Sequence, residues 1–194
     1  IISIGEWVLQ RACQDAATWP TGTKVAVNMS PVQFRDRSLG ARVVSALAKS
    51  GLSAQHLDLE ITERVLLEES DNPLYTMEQL KVLGVCISLD DFGTGYSSLN
   101  YLRKYPFHKI KIDRSFILSL SEREESAKIV TAILGLGRSL NLTTIAEGVE
   151  SEREAQFLKE NGRTLAQGYF LVLIHISEPT RLLSTASAVF CLKK

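Results

Sequence analysis

Short apolar runs separated by helix-patterned segments recur along the whole chain, and this alternation constrains the fold more than any other feature. The runs occupy 24–30, 56–62, 85–89, 109–113, 143–146 and 165–170. Between them, apolar residues recur at helical spacing. The predicted helices cover about 7–17, 33–49, most of 63–83 (interrupted near Asp71-Asn72-Pro73), 97–104, 124–140 and 151–160. Gly22, Gly51, Gly84 and Gly162 punctuate their ends. Repeated strand–helix units imply a parallel sheet joined by right-handed crossovers. Six strands fit either an open doubly wound sheet or most of a (β/α)8 barrel.

The placement of polar residues favours the barrel. Ile110 and Ile112 alternate with Lys109, Lys111 and Asp113, and Leu57, Leu59 and Ile61 alternate with Asp58, Glu60 and Thr62. An open sheet covered by helices on both faces should be almost wholly apolar. In a barrel, polar residues late in the strands can converge on one pocket at the C-terminal end. Asn28, Glu60, Asp90, Lys111, Glu147 and Gln167 all hold such positions. The expected fold is therefore α/β, of the TIM type.

One strand end is chemically distinctive. The run Val85-Cys86-Ile87-Ser88-Leu89 leads into Asp90-Asp91 and then Phe92-Gly93-Thr94-Gly95. Alternation along a strand sends two adjacent carboxylates in different directions, so one strand end can serve two cations. Oxygen ligands without His or Cys point to hard cations such as Mg²⁺, Mn²⁺ or Ca²⁺. Several carboxylates facing one pocket repel unless a cation neutralises them. A lysine among them suits an anionic substrate. The combination fits two-metal phosphodiester hydrolysis. Taken singly, each residue also has a structural reading. Asn28 before Ser30-Pro31 suits a turn, Glu60 and Glu63 suit a helix start, and Lys111 could pair with Asp113. Glu147 and Glu150 could open a helix, and Gln167 precedes the breaker Gly168. Tyr96, Tyr101 and Tyr169 read as packing residues.

Six blocks in order resemble one family: Val27-Asn28-Met29-Ser30-Pro31, Leu59-Glu60-Ile61-Thr62-Glu63, the Asp90-Asp91-Phe92-Gly93-Thr94-Gly95 segment, Lys109-Ile110-Lys111-Ile112-Asp113-Arg114, Ala146-Glu147-Gly148-Val149-Glu150 and Gln167-Gly168-Tyr169. The set resembles the EAL domain, the bacterial cyclic di-GMP phosphodiesterase family. The resemblance implies a (β/α)8 barrel and hydrolysis of cyclic di-GMP to linear pGpG, with two Mg²⁺ or Mn²⁺ ions per site. It implies metal ligation by Asn28, Glu60, Asp90 and Asp91, and catalytic roles for Lys111 and Glu147. Glu150 and Gln167 match pocket residues, and Glu63 matches the glutamate anchoring the Asp-Asp-Phe-Gly-Thr-Gly loop, which also helps the family form homodimers. Related proteins often carry N-terminal GGDEF or sensory domains. Some EAL-like domains have lost catalysis and serve as cyclic di-GMP sensors or interaction modules, usually after losing carboxylates that this chain retains.

Two departures accompany the match. The strand bearing the Glu-x-Leu signature would precede Ile1, so the expected barrel is incomplete. The family pattern runs through residue 170, and 171–194 reads as an atypical tail foreign to the domain. With 194 residues the chain can bury one sizeable core. Its 22 basic and 22 acidic residues leave no basic footprint for duplex nucleic acid. Cys13, Cys86 and Cys191 are odd in number and scattered, as in a cytoplasmic protein with reduced thiols, and Cys86 reads as a core residue. The parent protein could still carry a membrane anchor upstream. His56, His108 and His175 lack metal-ligand spacing.

Overall fold

The structure is a computed structural model that describes residues 1–20, 22–66, 72–95, 99–121, 123–162, 164–174 and 189–192. It divides into two compact units.

The first unit comprises 1–90 and 95–108. Helix α1 (Ile2–Ala16) leads to β1 (Val25–Asn28), then α2 (Pro31–Arg35) and α3 (Leu39–Ser50). Strand β2 (Leu57–Thr62), helix α4 (Asn72–Val82), strand β3 (Cys86–Phe92) and helix α5 (Leu99–Lys104) follow. β1, β2 and β3 pair in parallel, with Asn28 opposite Glu60, Glu60 opposite Ser88, and Thr62 opposite Asp90. Leu57, Leu59, Ile61, Ile87 and Leu89 are fully buried against the helices. The alternate residues of β2, Asp58 and Glu60, are buried as well. Both faces of this strand are thus covered, one apolar and one polar.

Several sequence expectations change here. The predicted helix over 33–49 is two helices, because Asp36 adopts an extended conformation (ψ 111°) at the end of α2. Its carboxylate accepts the Ser38 N–H at 2.9 Å and the Ser38 hydroxyl at 2.7 Å, and pairs with Arg42 at 3.2 Å. Local side-chain bonds of this kind compete with helix continuation. The buried stripe of α1 is Leu9, Cys13 and Ala16, while Trp7 is exposed. Cys86 is only half-buried, with the Lys24 ammonium 3.8 Å from its sulfur, whereas Cys13 is the fully buried thiol. Burial pushes the Cys13 thiol pKa up.

The second unit comprises 91–94 and 109–194. It contains β4 (Lys109–Ile112), α6 (Arg114–Leu118), α7 (Glu124–Ser139), β5 (Thr143–Glu147), α8 (Glu152–Asn161), β6 (Thr164–Gln167), α9 (Tyr169–Ile174) and β7 (Val189–Leu192). β4, β5 and β6 pair in parallel, and β7 joins β6 antiparallel. Helix α8 opens with a capping box. Ser151 accepts the Glu154 N–H, while Glu154 accepts the Ser151 N–H. The last predicted strand, 165–170, stops at Gln167, and α9 begins where strand was expected. Helix α6 had no counterpart in the sequence reading. Asp113 is its N-cap, accepting the Ser115 N–H at 2.9 Å and the Ser115 hydroxyl, so it leaves the strand and does not pair with Lys111. Tyr169 is exposed and does not pack as expected, whereas Tyr101 stacks at a tilt on Tyr105. Tyr96, Arg163 and His175 lie outside the described residues. No helix among the described residues is long and apolar enough to cross a membrane.

Candidate functional site

In the first unit, Asn28 ends β1 directly beside Glu60 of β2. Residues in register on neighbouring strands share a face, and so do residues two apart on one strand. Asn28, Asp58, Glu60, Thr62, Ser88 and Asp90 therefore line one polar face. Glu60 and Asp90 are both buried to the same degree. Beneath them, the Ser88 hydroxyl donates to Asp58 Oδ1 at 2.7 Å, with both side chains buried. Glu63 starts the 3₁₀ turn that follows β2, and its carboxylate is buried. A Cβ at Gly95 would stand 2.7 Å from Glu63 Oε2, so the loop backbone passes close over this carboxylate. His108 accepts the Ile87 N–H through Nδ1, a structural role.

In the second unit, Lys111 projects from the middle of β4 and Glu147 from the end of β5. Lys111 Nζ lies 2.7 Å from Glu147 Oε1, with the side chains 7% and 21% exposed. A carboxylate oxygen of Asp91 comes within 4.8 Å of one from Glu147. Asp91 has φ of +54°, in the left-handed region. Asp tolerates this region better than most residues do, and the Thr94 hydroxyl and N–H both bond to the Asp91 carbonyl, closing the turn. The alternation assumed for a regular strand therefore breaks at Asp91, even though the residue ends within β3. Gln167 lies in register with Glu147 on β6. Glu150 stands apart from these residues and is exposed, its Oε1 accepting from Arg114 Nη2 at 2.6 Å.

Two close backbone approaches shape this end of the unit. At Gly148 (φ +73°) a Cβ would stand 2.2 Å from Arg114 Cγ. At Gly168 a Cβ would stand 2.1 Å from the Val149 carbonyl oxygen. Asp58, Ser88 and Arg114 are not among the site residues that the sequence motifs single out. For Arg114 the available signal was its place directly after Lys111-Ile112-Asp113. For Asp58 and Ser88 it was their period-two spacing from Glu60 and Asp90.

The donor set is carboxylate and amide oxygen, which suits hard divalent cations. Asp91 and Glu147 can ligate one such cation within the second unit, and Lys111 adds a fixed positive charge beside them.

The model of the EAL domain matches residues 1–173. The chain belongs to the EAL-domain family. The EAL domain is 46% identical over 175 residues to the bifunctional diguanylate cyclase/cyclic di-GMP phosphodiesterase MucR of Pseudomonas aeruginosa, covering 88% of this chain and 26% of that protein. It superposes on the solved PaMucR phosphodiesterase in complex with c-di-GMP with a TM-score of 0.82 at 45% identity, covering 88% of this chain and 70% of that one. The Klebsiella pneumoniae BlrP1 manganese/cyclic di-GMP complex matches at 26% identity and a TM-score of 0.80, over 87% of this chain and 44% of that one. The EAL domain spans about a fifth to a quarter of the length of such curated relatives. Its fold class is α/β of the TIM-barrel type.

Proposed function

We propose that this EAL domain is a divalent-metal-dependent phosphodiesterase that hydrolyses cyclic di-GMP to linear pGpG and so lowers a bacterial second messenger that governs biofilm formation. The observation that carries the reading is the ion pair of the buried Lys111 with the half-buried Glu147, with the Asp91 carboxylate beside it, in a chain of this family. The MucR and BlrP1 complexes with cyclic di-GMP support the choice of substrate.

In this reading Asn28, Glu60, Asp90 and Asp91 would hold two Mg²⁺ or Mn²⁺ ions. When bound, such ions would supply a lowered pKa for the attacking water and would offset charge on the leaving oxygen. Glu147 takes the proton of the water as its oxygen bonds to phosphorus. The bond from phosphorus to the ribose 3′ oxygen breaks, leaving a 5′ phosphate on pGpG. Lys111 faces the negative charge that builds on the phosphoryl oxygens. Glu150 and Gln167 border the nucleotide, and Glu63 holds the loop through Gly95.

The domain proper is proposed to end near residue 170, with 171–194 not belonging to it. The antiparallel entry of β7 beside otherwise parallel strands supports that boundary. The domain is proposed to act as a homodimer in the bacterial cytoplasm, within a larger protein carrying GGDEF or sensory domains. The bifunctional MucR supports the last point.

The test is cyclic di-GMP hydrolysis followed by chromatography, with Mg²⁺ or Mn²⁺ against EDTA and Glu60→Ala as control. Metal-dependent pGpG that disappears in the variant is expected. Tight cyclic di-GMP binding without any pGpG would replace the phosphodiesterase with a sensor.

A further inference from the structure

The polar face of β2 and β3 holds a second tier below Glu60 and Asp90. The Ser88 hydroxyl donates to Asp58 Oδ1 at 2.7 Å, and the two side chains are among the most deeply buried polar groups of the first unit. Asp58 is in register with Cys86, and Ser88 with Glu60, so the bond runs diagonally across one step of the β2–β3 ladder. Asp58 lies two residues before Glu60 on the same face, and Ser88 lies two residues before Asp90. Two strand steps separate such neighbours by about 6.6 Å. A buried carboxylate is costly, and an apolar pair at these two positions would fill the interior without that cost.

We infer that Asp58 and Ser88 are positioning residues for cation binding by Glu60 and Asp90, an inference that rests on reading those two as metal ligands. The Asp58–Ser88 bond ties the two ligand-bearing strands together one step behind the ligands and so fixes their separation. The Asp58 carboxylate also adds negative charge behind the site without entering it, which favours a divalent cation over an empty site. Groups hydrogen-bonded directly to metal ligands contribute about 10–100-fold to metal affinity in characterised sites, and a pair one strand step behind the ligands is expected at the lower end of that range.

Mn²⁺ titration followed by electron paramagnetic resonance of the free ion tests this directly, alongside thermal unfolding without metal. Asp58→Asn keeps an acceptor for Ser88 but removes the charge, and is expected to weaken Mn²⁺ binding by about tenfold. Ser88→Ala should weaken it several-fold, while Ser88→Thr, which retains the hydroxyl, should stay within twofold of the wild type. In cyclic di-GMP hydrolysis the same variants should raise the half-saturating Mn²⁺ concentration far more than they lower the rate at saturating metal. Unchanged Mn²⁺ affinity in Asp58→Asn with a lowered Tm would overturn the inference and leave a purely structural pair. Should Asp58→Asn fail to fold, the contrast between Ser88→Ala and Ser88→Thr decides by the same titration. A wild type that binds Mn²⁺ but leaves cyclic di-GMP intact would sink the phosphodiesterase reading alone, because the titration still measures the role of Asp58. A wild type that binds no Mn²⁺ would overturn both.

Discussion

Glu147 at the end of β5 and Lys111 in the middle of β4 meet at 2.7 Å, although register pairs Lys111 with Ile145, not Glu147. The ammonium thus reaches one step along the neighbouring strand toward the carboxylate. It neutralises one of the two acids that Asp91 and Glu147 bring together. A bound cation and Lys111 therefore compete for the same negative charge.

Lys111→Met exposes that competition. Removing one partner of a fully buried pair costs about 3–5 kcal/mol. Glu147 keeps some access to water, so a loss of about 1–3 kcal/mol is expected. Millimolar Mn²⁺ should recover more stability in the variant than in the wild type, because the cation takes over the role of the ammonium. Turnover of cyclic di-GMP should fall by about 100-fold or more. Thermal unfolding with and without Mn²⁺, together with pGpG formation, checks both parts.

Asp91 separates backbone from ligand chemistry. Asparagine also tolerates positive φ, so Asp91→Asn should keep stability within about 0.5 kcal/mol of the wild type. The same change should weaken divalent binding markedly. Asp91→Val should instead cost about 1–2 kcal/mol, because a β-branched residue resists the left-handed region. Chemical denaturation of both variants, set beside Mn²⁺ affinity, distinguishes strain from lost charge.

Gly168→Ala tests the crossing of β6 past Val149. The added methyl would fall on the Val149 backbone, and a peptide cannot swing aside as a flexible side chain can. A loss of about 2 kcal/mol or more is expected, which corresponds to a fall in Tm of about 4–8 °C for a domain of this size. Differential scanning calorimetry reads this directly.

Asp36 predicts a pH dependence. The Ser38 hydroxyl and N–H bonds, with smaller help from Arg42, hold the Asp36 carboxyl below its ordinary pKa. A depressed folded-state pKa stabilises the fold above the unfolded value, and that stability is lost as pH falls through the folded value. Asp36→Asn should therefore lower Tm slightly near pH 7. The gap to the wild type should close below about pH 4, as the wild-type carboxyl protonates. Parallel melts between pH 3 and pH 7 would show this convergence.

The alternating runs gave all six parallel strands because the buried faces of Leu57, Leu59 and Ile61, or Ile110 and Ile112, write period two plainly into the sequence. The polar positions late in the strands were legible in the same period-two pattern, whereas the ligand set itself comes from the ordered blocks that carry the family resemblance. What stayed hidden depends on short-range bonds that periodicity does not register. Asp36 halts one helix and Asp113 starts another through two hydrogen bonds each. The left-handed turn at Asp91 and the exposed ring of Tyr169 are set by their neighbours in three dimensions. The Asp58–Ser88 bond joins residues 30 positions apart, a separation that no local pattern encodes.

The crowded backbones at Gly148 and Gly168 also bear on how such a domain can diversify. With Arg114 against one and Val149 against the other, neither loop can accept even a methyl without rearrangement. Drift in ligand preference is thereby channelled away from these two junctions and onto the positions flanking them. Tyr169 stands there in open solvent, one residue beyond Gly168, where new side chains can be sampled without disturbing the frame, while Glu150 is held by its ion pair with Arg114.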